Sequence, residues 1–178
     1  MRHVWTGVCL LLLAGGAAAA EDPLREQTHV RSESADIRRM IAEAATRSAT
    51  FRGLVDAIDE TDVIVYVRIR QLPSQTLEGR TGFLGVSPKR RFLAIELACP
   101  RTVDAQVATL AHELQHVVEI AHAPWVLSPR TLREYYEAIG MEVTAGPPGR
   151  MFETRAAAAI GEHVRREMNS SSTSASRH

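Results

Sequence analysis

Cysteine is nearly absent from this 178-residue chain, which holds only Cys9 and Cys99. Two cysteines cannot build the disulfide framework that staples small secreted domains. Charge of one sign is also lacking: 21 Lys and Arg face 21 Asp and Glu, for a formal net charge of +0. That balance gives no electrostatic case for nucleic acid or an anionic membrane surface. Beyond residue 20 no stretch approaches the roughly 18 apolar residues of a membrane-spanning helix. There is no internal repeat either. What remains is a length for one ordinary domain, held by an apolar core and open to help from a metal.

The one strongly apolar run is N-terminal. Arg2 and His3 make a short positive start, Val8 to Ala14 is continuously apolar, and Ala18 and Ala20 fill the small positions of an A-x-A cleavage site. Residues 1–20 therefore read as a secretory signal peptide. The expected product begins at Glu21, is secreted or periplasmic, and carries no membrane anchor. Cys9 leaves with the signal, so Cys99 stands alone and reads as a small hydrophobe rather than a ligand.

Residues 21–34 are polar and without period, a loose lead-in. From Ala35 the pattern turns helical, with Ser34 as a cap and a break near Ser48 to Thr50. Three strands follow: Asp62–Ile69, Thr81–Val86 and Arg91–Ala98. The tight connection Ser87-Pro88-Lys89-Arg90 joins the last two as an antiparallel hairpin, and Arg90-Arg91 reads as a solvated turn. Thr102 or Asp104 starts a helix over Val103–Ala121. Further helices are expected over Thr131–Ile139, closed by Gly140, and over Met151–Met168, after a sharp loop at Gly146-Pro147-Pro148-Gly149. The Ser-rich residues 169–178 read as a disordered tail. The expected fold class is α+β in one domain over 35–168: N-terminal helices, a small and mostly antiparallel three-stranded sheet, the long helix, and C-terminal helices.

One segment carries chemistry. His112-Glu113-Leu114-Gln115-His116 is an HExxH motif on the long helix. A helix advances about 100° per residue, so His112 and His116 differ by about 40° and project side by side. Two neutral imidazoles at that spacing can hold one zinc ion. Glu113 points about 100° away, towards a water on the metal rather than into the ligand set. Zinc makes that water acidic and the carboxylate can take its proton, the machinery of amide or ester hydrolysis.

The motif and its setting resemble the zincin metallopeptidases, in which an HExxH helix packs beside a small sheet. Within them the chain is most similar to small gluzincin-type enzymes, and to small exported bacterial proteins carrying the motif. The resemblance is specific over Val107–Ala121 and extends to Phe152-Glu153-Thr154-Arg155-Ala156. It implies a zincin-like catalytic domain, one Zn2+, a peptide or protein substrate, and Glu113 as general base. It also implies that the strand before the active helix, Arg91–Ala98, is the edge on which an extended substrate lies.

Three residues can complete the ligand set. His122 gives the metzincin spacing, but Glu119 occupies the place of the glycine at which that pattern turns. On a continuous helix His122 sits about 80° off the metal face. Glu119 lies only about 20° off that face and suits a hydrogen bond to the other nitrogen of His116. Glu153 lies 37 residues after His116, near a helix start whose dipole favours a carboxylate, and gluzincins draw their third ligand from such a helix. Glu153 is the first choice. Tyr135 and Tyr136 read as packing aromatics, with an oxyanion-stabilising hydroxyl as the alternative. His163 reads as a surface residue. The function expected is zinc-dependent peptide hydrolysis outside the cytoplasm. The alternatives are an exported zinc-binding domain and a zinc hydrolase without peptidase activity.

Overall fold

The structure, a computed structural model, describes residues 28–99, 102–143 and 151–175. The expected signal peptide and the loop at Gly146 to Gly149 lie outside them. The helices begin where the polar caps place them. Ser34 accepts from the Ile37 amide to start α1 (Ala35–Arg47). Ser48 both closes α1 and starts α2 (Ala49–Asp59), accepting from the Phe51 amide. Thr102 does the same for α3 (Val103–Ala121), through the Ala105 amide. At α4 (Pro129–Ile139), Ser128 and Thr131 form a reciprocal capping box, and Gly140 closes the helix. A Cβ at Gly140 would lie 2.8 Å from the Tyr136 carbonyl oxygen, so only glycine fits there.

The sheet departs from expectation. It has four strands in the order β1-β2-β4-β3, where β1 is Val30–Arg31, β2 Val63–Ile69, β3 Gly79–Ser87 and β4 Arg90–Leu97. The β3–β4 hairpin is antiparallel as read from its turn, but β2 pairs parallel with both β1 and β4. The mostly antiparallel three-stranded sheet is therefore corrected to a mixed one. The reason is visible in the residues. Ile64 and Ala94 are buried on one face of the sheet, while Val63, Val65, Leu93 and Ile95 are buried on the other. Strands covered on both sides read as continuous apolar runs and tolerate parallel pairing. The short β1 also falls inside the segment expected to be a loose lead-in.

The pairing moves the sheet edge too. β4 is central, and β3, with Gly79, Gly82 and Gly85, is the edge strand on that side of the sheet. The edge expected at Arg91–Ala98 is thus one strand away. Arg91, expected in a solvated turn, is 1% exposed. It donates to the carbonyls of Ile120, Ala121 and Ala123 at 2.8–3.0 Å and pairs with Asp62, capping the C-terminus of α3. Cations stabilise that end of a helix, so Arg91 fixes α3 against the β2–β4 pair.

One core joins α1, α2, α3 and the sheet, with Phe51, Ile58, Val65, Leu93, Leu110 and Leu114 at its centre. Chain order then brings two short strands together, β5 (Met141–Val143) and β6 (Met151–Glu153), antiparallel. The last helix, α5, spans Arg155–Ala175 rather than Met151–Met168. Its start is later because Met151–Glu153 pairs with β5, and it continues into residues expected to be a disordered tail. α5 packs lengthwise on α3, contributing buried Ala157, Val164 and Met168.

Candidate metal centre

His112 and His116 stand on the middle turns of α3, one turn apart, with buried Ala111 and Leu114 holding that stretch in the core. Glu153 ends β6, two residues before α5 begins. The packing of α5 on α3 carries the carboxylate to both imidazoles. Its Oε2 lies 3.1 Å from His112 Nε2 and its Oε1 3.7 Å from His116 Nε2. His112, His116 and Glu153 each offer one ligand atom, all within 4.8 Å of one another. Two imidazole nitrogens and one carboxylate oxygen are a donor set suited to a zinc site with one open position. Gly161 on α5 permits the approach: a Cβ there would meet His112 Cβ at 3.1 Å and the Ala108 carbonyl at 3.2 Å.

Behind the imidazoles sits Glu119, and it fixes two things at once. Its Oε2 lies 2.9 Å from His116 Nδ1 and accepts from the Tyr136 hydroxyl at 3.3 Å. Its Oε1 accepts from the Thr154 hydroxyl at 2.7 Å. The same Thr154 oxygen caps α5, accepting from the Ala157 amide at 3.1 Å. One carboxylate therefore orients a histidine and anchors the residue next to Glu153. Orienting partners of this kind set the tautomer and basicity of a ligating imidazole. Thr154 was not singled out in the sequence. The signal is present, a threonine directly before the helical run Arg155-Ala156-Ala157, but the apolar pattern places the helix start at Met151.

Glu113 is 5% exposed and lies against the edge strand. Its Oε2 accepts from the Thr81 hydroxyl at 2.7 Å. A Cβ at Gly79 would stand 2.8 Å from its Oε1, so glycine lets β3 close on the carboxylate. Thr81, Gly79 and Gly161 were likewise not legible as site residues, because each acts across two elements far apart in sequence. A cavity of about 350 Å3 opens in front, lined by His112, Glu113 and Glu153 with Gly79, Ala158 and Gly161 among the rest of its wall.

Burial raises the Glu113 carboxyl above the usual carboxylate range, against the pull of His116, Thr81 and His112. A carboxylate moved in that direction is a better proton acceptor near neutral pH. Burial would also raise Glu119, but hydrogen bonds from His116, Thr154 and Tyr136 outweigh it and hold it low. Glu153 is held low as well: burial acts against it, and the hydrogen bond and charge of His112 win. His112 is raised, its bond to Glu153 and the carboxylates of Glu113 and Glu119 overcoming burial.

The remaining candidates fall outside this constellation. His122 is the C-terminal cap of α3, exposed, and not among the clustered donors. Tyr135 donates to the Glu119 carbonyl at 3.0 Å, and the single proton of the Tyr136 hydroxyl is shared between Glu119 Oε2 at 3.3 Å and the His116 carbonyl at 3.2 Å, so both hydroxyls brace α3. Burial pushes the Tyr136 hydroxyl far above the ordinary phenol range, and burial raises Tyr135 too. His163 lies on α5, half-exposed, beside Glu167. Cys99 is exposed rather than buried. No family model, curated protein or solved structure matches the chain. Among the described residues no helix is long and apolar enough to cross a membrane.

Proposed function

We propose that the chain is a zinc-dependent peptidase of gluzincin type, acting outside the cytoplasm after removal of residues 1–20. One observation carries the reading: the HExxH histidines and a carboxylate from a separate element converge within 4.8 Å, while the motif glutamate stays out of that set. His112, His116 and Glu153 would hold one Zn2+. Bound zinc would supply Lewis acidity, making water acidic near neutral pH and polarising the scissile carbonyl.

The chain's own residues do the rest. Glu113, buried and oriented by Thr81, accepts the proton of the attacking water and returns it to the leaving nitrogen. A C–O bond forms as the C–N bond breaks, and no other reactant is needed. Glu119 keeps His116 in the tautomer whose Nε2 is free for the metal. β3 is an edge strand that pairs with β4 alone among the described residues, and its outer side can take an extended peptide as an added strand.

The test is peptide-library cleavage by purified protein with zinc and with chelator, beside direct metal measurement. Cleavage that needs zinc supports the reading. Zinc binding without cleavage of any peptide favours an exported zinc-binding domain or another zinc hydrolase, and absence of bound zinc removes the enzyme reading. Glu153→Ala should weaken zinc far more than His122→Ala does. The reverse order would restore a metzincin-like ligand set.

A further inference from the structure

A second cavity of about 220 Å3 borders the cleft, and Thr76, Leu77, Glu78 and Thr109 line both. Pockets for a whole small molecule run from about 300 to 1,000 Å3, so this one is sized for a single side chain. Its wall is divided by chemistry. Leu77, Ala98 and Ala105 give an apolar stretch, and among the described residues Glu78 is the only charged one that lines it.

One polar group in it lacks a committed partner. Glu78 meets only the Thr109 hydroxyl, at 3.2 Å, and that hydroxyl also lies 3.1 Å from the Ala105 carbonyl. One hydroxyl proton cannot serve both acceptors. No Lys or Arg of the described residues pairs with Glu78.

We infer that this cavity is a subsite for a basic side chain of the substrate, selected by Glu78. A Lys or Arg brings an aliphatic stem for Leu77, Ala98 and Ala105 and a cationic head for Glu78. Long basic side chains bury their stems while the head stays partly wet, and the half-apolar wall with one exposed carboxylate matches that habit. The cleft runs from the metal donors to Glu78, so a peptide bound there brings a neighbouring side chain to the subsite. The inference rests on the peptidase reading for its substrate, but the cavity can be probed without turnover.

The first arm uses NMR on the full chain, titrated with N-acetyl-lysine N-methylamide and with its norleucine counterpart. The expected result is shifts centred on Leu77, Gln106 and Thr109, with the lysine compound bound about fivefold tighter, the upper range for a pair that stays partly wet. Added salt should erode that advantage, and Glu78→Gln should bring the ratio close to one. Equal binding of both compounds, shifts elsewhere, or a ratio unchanged in Glu78→Gln overturns the subsite. The second arm is library cleavage by zinc-loaded protein, with a preference for Lys or Arg at one position that Glu78→Gln removes. Cleavage without that preference overturns the subsite and leaves the peptidase reading. Probe binding without any cleavage overturns the peptidase reading and leaves the basic subsite.

Discussion

Thr154→Val tests whether the ligand constellation depends on a brace between α3 and α5. Valine keeps the shape of threonine and removes the hydroxyl. Two interactions vanish: the donation to Glu119 Oε1 at 2.7 Å and the cap on the Ala157 amide at 3.1 Å. Loss of an N-cap costs about 0.5–2 kcal/mol. A hydrogen bond to a charged group contributes about 1.5–3 kcal/mol. Glu119 keeps His116 and Tyr136, so part of its environment survives and the lower half of the sum applies, about 2–3 kcal/mol. Urea unfolding of the metal-free protein should show this as a lower midpoint at unchanged slope. The effect on metal follows from position. Thr154 anchors the backbone beside Glu153 and holds Glu119, so zinc affinity should fall about 10–100-fold, as for other outer partners of a ligand. Zinc at fixed excess should then add about 1.4–2.7 kcal/mol less stability to the variant than to the parent. Thr154→Ser should restore both values. Stability within about 0.5 kcal/mol of the parent, together with unchanged zinc affinity, would refute the brace.

Other perturbations have equally definite outcomes. Glu113→Gln should keep about one zinc per chain by metal analysis while hydrolysis falls roughly 10^2–10^4-fold, the usual share of a general base. Gly161→Ala should push α5 from His112 and weaken zinc in a competition titration, because its Cβ would stand 3.1 Å from His112 Cβ. Gly79→Ala should spare zinc binding but slow hydrolysis, since the added methyl would stand 2.8 Å from Glu113 Oε1. Asp62 is held below its ordinary 3.8, the hydrogen bond from Arg91 outweighing burial. A folded value below the unfolded one means that the pair stabilises above pH 3.8 and that this contribution is lost as pH falls through the lower folded value. Asp62→Asn should therefore flatten the acid side of a stability–pH curve below that point, and an unchanged acid limb would remove the pair from the account.

Much of this was legible in the residues, and the misreadings have common causes. Caps at Ser34, Ser48 and Thr102 are local chemistry, so the helices they start could be placed from sequence. The HExxH pair is local too, one helical turn, and Glu119 follows from the same geometry. The strand partners of β2 are not local. Apolar residues at both parities of β2 and β4 mark burial on both faces, but the tight turn before Arg90 specifies the hairpin alone and says nothing of the partners of β2. The charged sequence neighbours of Arg91 suggest a wet side chain, while its partners are carbonyls at the end of α3 about 30 residues away. Glu153 is legible as lying near a helix start, although it ends the strand β6 and the cap of the helix is Thr154.

The most direct test of the central claim is an anomalous-scattering map at the zinc edge from crystals of the protein grown with zinc. The account predicts one peak per chain, bonded to a nitrogen of His112 and of His116 at about 2.0–2.1 Å and to Glu153 oxygen at about 2.0–2.2 Å, with Glu113 outside the ligand set. No peak between α3 and α5, or a peak ligated by His122 or Glu119 in place of Glu153, would contradict it.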